Sequence, residues 1–305
     1  MPFSLSPNLC LNSLAETQSF MKFRIFSHFV PVAAASCLLL SSCGGGEEQT
    51  TVPVADTLEE TIEVDTMSSY SLLPSPLQVA MIFDKSGMGF EGSFTNKLDA
   101  VSKYSTNWEK SINFGVYSAD LAYAVLNERS KEAGEIIKVV RDLSSEIGLS
   151  TVFDSEDVLT RFEKNLGNKD SVLDILFVIE EKTDDYIDEN GEHELGNIMF
   201  AGAWIEGMYI GAQSSLKEKK KDVGAKLSEQ MIICTNLIEA LSMDAPNADK
   251  DALIADLKDL DATYKGLGSV KGLEGDEAYN VNLTEAEIKT LAEKLIALRN
   301  KIVKA

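Results

Sequence analysis

Two carboxylates stand where the sequence offers them little water. Asp120 lies within residues 114–126 and Glu206 within residues 198–211, and in both runs the neighbours are almost all apolar or small. A carboxylate placed this way must find a partner or keep its proton. Brought together on facing helices, the two could hold a cation or hand a proton to a ligand, the chemistry of an acid/base pair. Their settings repeat, since Phe114, Asp120 and Tyr123 have the spacing of Phe200, Glu206 and Tyr209. An acid and a tyrosine three positions apart share a helix face. Asp120, Tyr123, Glu206 and Tyr209 therefore form the candidate buried polar or ligand site. A structural role is the simpler expectation: each acid would accept hydrogen bonds from a tyrosine, a helix end or a lysine.

The rest of the chain offers less chemistry. His193 and Cys234 are the histidine and cysteine that fall in the part read below as the folded body. That count leaves His193 as the sole imidazole for a nucleophilic triad and excludes zinc sites built on several His or Cys ligands. Cys234 sits at helical spacing among Leu227, Met231, Ile238 and Leu241, which reads as a small core residue. Di-iron bundles use Glu-x-x-His pairs, and none is present. Residues 184–194 resemble a calcium loop, but placing Gly191 at loop position six puts Tyr186 and Asn197 where acids belong. An acidic interhelix turn is expected there. Gly202, Gly207 and Gly211 lack the strand and spacing of a phosphate loop, so they read as a close helix contact. Residues 217–221, four lysines and a glutamate, form a basic patch, read as a solvated connection or a docking point. No metal and no cofactor is expected.

The elements that would position these groups are helices. Ile288, Leu291, Leu295, Leu298 and Ile302 recur at steps of three and four, and Thr284 with Glu287 makes a capping-box pattern at the start of that run. The same stepping appears in Leu227, Met231, Cys234, Ile238 and Leu241, then in Leu253, Leu257, Leu260 and Tyr264, with Pro246 between the two. Ala133, Ile136, Ile137, Val140, Leu143 and Ile147 form a stripe that stops at Gly148, a favoured terminator. Val172, Leu176, Ile179, Thr183 and Ile187 form another. The two runs carrying Asp120 and Glu206 are apolar nearly all round, the mark of central helices. The expected fold is all-α, a multi-helix bundle with two central apolar helices and an internal duplication of a helical hairpin. A TPR-like helical repeat is the alternative, although no 34-residue period continues.

Upstream, Met21-Lys22-Phe23-Arg24 is a short basic segment, followed by uncharged, mostly apolar or small residues to Ser42. This is the layout of a secretory signal. Leu40-Ser41-Ser42-Cys43, followed by Gly44-Gly45-Gly46, resembles the cleavage and lipid-attachment box of bacterial lipoproteins. The resemblance implies lipidation at Cys43 and, because Gly44 rather than an acid follows, an outer-membrane address facing the periplasm or the surface. Residues 1–20 then read as a mis-assigned upstream extension, 21–42 as the signal peptide, 43–74 as an acidic tether and 75–305 as the helical domain, with a C-terminal three-helix subdomain over 222–305. The tether from Gly44 carries seven acids and no Lys or Arg, and as a flexible coil it would reach roughly 30 Å. The segments around Asp120 and Glu206 are also similar to those of uncharacterised all-helical lipoproteins of the Bacteroidetes type, a resemblance that implies no reaction.

Composition supports a water-facing body: 44% hydrophobic and 25% charged residues, with a formal charge of −21. A strongly acidic surface is repelled by phosphate backbones, so nucleic acid is not an expected partner. The expected function is that of a non-catalytic, lipid-anchored envelope protein, a helical scaffold or protein-interaction module that touches the membrane through the lipid on Cys43 and engages a protein partner. The alternatives are a lipoprotein that holds a small molecule or cation at Asp120 and Glu206 and, more remotely, an acid/base enzyme using the same pair.

Overall fold

A computed structural model of the chain describes residues 73–154, 158–219 and 221–304. The signal segment, Cys43 and nearly all of the tether lie outside the described residues. Those described belong to one compact unit and are mostly helical, with no strand among them. Ten α-helices follow in order: α1 Pro76–Lys85, α2 Asn107–Leu126, α3 Ser130–Glu146, α4 Ser150–Asp154, α5 Val158–Asn165, α6 Lys169–Asn190, α7 His193–Glu218, α8 Lys221–Met243, α9 Ala248–Lys265 and α10 Glu285–Val303. Short 3-10 turns, Leu98–Lys103 and Gly275–Tyr279, interrupt the two longer connections.

Local chemistry sets these boundaries. Ser75, Thr106 and Thr284 cap α1, α2 and α10 with reciprocal capping boxes to Gln78, Glu109 and Glu287, each removing two orphan backbone donors. Burial works against the Glu287 carboxylate, but donors from Thr284 and Ser269 outweigh it and hold the group down at about 2. Asn168 and Asn247 cap α6 and α9. Helix α3 ends just before Gly148, whose φ of 95° few other residues accept. The apolar stripes read from the sequence face inward on α3, α6, α8, α9 and α10.

Helices α2 and α7 are the centre. Nearly every residue from Ser111 to Leu126 and from Leu195 to Ser215 is buried. One core gathers around α7 with α8, α9 and α10; the other joins the α2 flank to α3, α5 and α6. The two central helices cross at van der Waals closeness because each presents a glycine. A Cβ on Gly115 would overlap the carbonyl oxygen of Met199, and one on Gly202 would overlap that of Ile112. Gly207 and Gly211 lie against Val79 and Phe83 of α1. The glycines of α7 are thus close-packing positions, as their spacing implies.

Candidate functional site

The crossing of α2 and α7 brings Asp120 and Glu206 together, each 0% exposed. Their buried carboxyls lie close enough to act on one another, and two charged carboxylates repel when held together out of water, so one of them keeps its proton. The third member fixes which one. Arg299, from α10, grips Glu206 through two parallel bonds, Nε to Oε2 at 2.9 Å and Nη2 to Oε1 at 2.9 Å. A fork matched to both oxygens is among the strong hydrogen-bonded pairings of a carboxylate. The charge therefore rests on Glu206 and the proton on Asp120. Burial, together with the Glu206 charge, raises the Asp120 carboxyl well above the usual range. Its Oδ2 accepts from the backbone N–H of Asn96 at 2.9 Å, while its Oδ1 is buried and receives no donor, as suits a carboxyl that holds a proton rather than a charge.

The two tyrosines, equivalent in sequence, do different work. The Tyr209 ring faces the Arg299 guanidinium, 4.8 Å from its centroid, a cation–π contact that covers the one cation here. Tyr123 turns away from the acids. Its hydroxyl donates to the Gly89 carbonyl at 2.6 Å and accepts from the Glu91 N–H at 2.7 Å. Asp120 and Tyr123 thus hold two points of the loop between α1 and α2 onto one face of α2. Beyond Asn96, its side chain donates to the Tyr104 hydroxyl at 2.9 Å, and the Tyr117 hydroxyl donates to the Lys97 carbonyl at 2.6 Å.

Helix α10 delivers Arg299 from a fixed end. Asn113 of α2 donates to the Ile302 carbonyl at 2.7 Å, and Lys304 meets Glu109 at 2.6 Å. Lys294 and Lys301 reach Asp259 and Asp256 on α9, exposed pairs that each contribute about 0–1 kcal/mol. At the other end of α7, Lys250, 1% exposed, donates to Glu194 at 2.8 Å and to the Ala245 carbonyl at 2.6 Å.

The remaining residues singled out in the sequence fall as follows. Cys234 is a buried free thiol in the α8–α9 contact, and burial pushes its ionisation up. His193 begins α7, 3.8 Å from Asp188, apart from Asp120 and Glu206. The calcium-like run spans the last turns of α6, the tight interhelix turn at Gly191, φ 67°, and the first residues of α7. Within the basic patch, Lys217 pairs with Glu91 and Lys219 with Glu285.

A separate feature has no counterpart in the sequence reading. Between α6 and the central helices lies a cavity of about 340 Å³, and neither Asp120 nor Glu206 is part of its wall. Glu180 of α6 is. Its Oε1 accepts from the Leu77 N–H at 2.9 Å, capping the start of α1 from a neighbouring helix. Burial pushes its carboxyl up to about 7, against the pull of Leu77 and Ser75. Among the described residues no group of His, Cys, Asp and Glu is arranged to hold a metal ion, and no helix is long and apolar enough to cross a membrane. Comparison with protein-family models, with curated proteins and with solved structures returns no match.

Proposed function

We propose that this chain is a non-catalytic bacterial envelope lipoprotein, moored to the outer membrane through lipid on Cys43, whose helical body serves as a scaffold or interaction module for another protein. The observation that carries the non-catalytic reading is the closure of the Asp120–Glu206–Arg299 cluster. A general acid or a metal-binding pair needs open coordination and a substrate within hydrogen-bond reach. Here the charged acid is spent on a buried arginine, the protonated acid on the charged one, and packed helices surround both. The anchoring part rests on Leu40-Ser41-Ser42-Cys43 and the signal-like segment before it. The acidity of the chain favours a partner with a basic face.

The test is made in whole cells. Labelled palmitate is expected to enter the protein and to be lost, with membrane sedimentation, in Cys43→Ala. Crosslinking in intact cells is expected to give one discrete partner adduct with the anchored form and to persist in Asp120→Asn. A Cys43→Ala protein that still sediments with membranes overturns the anchor, and an activity that disappears in Asp120→Asn with the fold intact overturns the non-catalytic role.

A further inference from the structure

The cavity beside Glu180 has the dimensions of a ligand site and a consistent chemistry. Its volume lies within the ~300–1,000 Å³ of small-molecule pockets. On the α2 side its wall includes the small residues Ser118 and Ala122, one turn apart on a helix face. Opposite stand Leu176 and Ile179, and the walls between are apolar, including Val140 and Phe153.

The polar groups of the wall share one character. Glu180, Asp184 and Asp188, at successive fourth positions of α6, all contribute, and among the described residues no Lys, Arg or His lines the space. The neutral polar groups have spent their protons. Ser118 donates to the Phe114 carbonyl at 2.8 Å, Thr183 to the Ile179 carbonyl at 2.7 Å, and the Gly196 N–H to the Glu192 carbonyl. Pro74 and Pro76, also in the wall, have no N–H to offer. What remains is acceptor capacity and negative charge on one side of an apolar chamber. A guest with a cationic donor complements that wall, and an anion would be repelled.

We propose that this cavity binds a small apolar molecule bearing a protonated amine, its hydrocarbon part between α2, α3 and α6 and its ammonium against the Glu180 side. Charge complementarity selects this occupant over the chain's own segment before Leu73, which carries seven acids and no base from Gly44 onward. The site stands apart from the Asp120–Glu206–Arg299 cluster and does not depend on lipid attachment, so palmitate labelling and ligand binding can fail independently.

The probes are phenylbutylamine, phenylbutanol and phenylbutyrate, which share a skeleton and differ in the charge of the head group. Calorimetric titration of the full chain at about pH 8, where a carboxyl of this kind is ionised, is expected to rank amine above alcohol by about tenfold or more, with no binding of the carboxylate. Glu180→Gln retains the acceptor for the Leu77 N–H and is expected to lower amine affinity to the level of the alcohol. Ala122→Leu fills the chamber and is expected to weaken amine and alcohol alike; Val140→Phe does the same from the α3 wall should the first variant not fold. Equal binding of the three probes, binding of none, or an amine affinity untouched by Glu180→Gln overturns the proposal. Binding that emerges only after deletion of residues 44–72 also overturns it, since the occupant would then be the chain's own acidic segment.

Discussion

Glu206 and Glu180 are both drawn out of water by neighbouring helices, and they end in opposite conditions. Glu206 sits at a crossing so tight that glycine is required on both sides, and it is answered by a bidentate arginine and a protonated aspartic acid. Glu180 sits beside empty space, and its answering groups are an N–H and a hydroxyl. The first is a fastener. The second is a charge-bearing group held at the border of a chamber that no cation among the described residues lines. Burial of an acid is therefore no guide to its use; the nature of its partner and the space next to it decide.

The comparison is broken first at the fastener. Arg299→Ala leaves Glu206 charged and alone in the interior, and the expected loss is about 3–5 kcal/mol in denaturant melts. Combining it with Glu206→Gln is expected to return part of that loss, with a coupling of about 1–3 kcal/mol in a double-mutant cycle; strict additivity would show that the pair is not a unit. Next in size is the crossing itself. Gly202→Ala forces a methyl onto the Ile112 carbonyl and is expected to cost about 1–3 kcal/mol, whereas Ala122→Leu, which adds more carbon beside the chamber, costs less than about 1 kcal/mol. Equal costs would mean that the chamber is not empty in solution.

Protons sharpen the contrast further. The folded Glu180 carboxyl titrates at about 7 against an ordinary 4.5, so the native state binds its proton more tightly than the unfolded chain. The stability this contributes is complete below about pH 4.5 and is lost as the pH rises through 7. Glu180→Gln removes that slope, and is expected to stabilise the protein by about 1–2 kcal/mol at pH 8 while changing little at pH 4. A melt series across this range checks the sign. The smallest expected effect belongs to Asp120→Asn. The amide keeps both a donor toward Glu206 and an acceptor for the Asn96 N–H, so the loss stays under about 1 kcal/mol. A loss as large as that of Glu206→Gln would place the charge on Asp120 instead.

Much of this was visible in residue spacing. The stripes of α3, α6, α8, α9 and α10, the capping box at Thr284 and the all-round apolarity of α2 and α7 follow from helical periodicity alone, and they suffice for an all-helical bundle. So does the isolation of Asp120 and Glu206. Arg299 was harder to see, because an arginine on an amphipathic helix ordinarily reads as solvent-facing. Its register held the clue: it follows Ala292 by seven positions and Leu295 by four, on the row that α10 buries. The divergence of Tyr123 and Tyr209 was not visible, since local pattern treats them alike and only the loop before α2 and the arrival of α10 distinguish them. The chamber was hidden for a related reason. Ser118 and Ala122 are unremarkable in sequence, and an opening beside them depends on where α6 comes to rest.

The cation that neutralises the centre arrives late. Arg299 follows Glu206 by 93 residues, so a chain emerging from the ribosome amino end first presents both central acids well before their counter-ion has been made. Until then the α2–α7 junction can close only if both carboxyls remain protonated. The final helix thus works like a key turned after the door is shut, and a nascent product lacking its last turns would stay loose at its very middle.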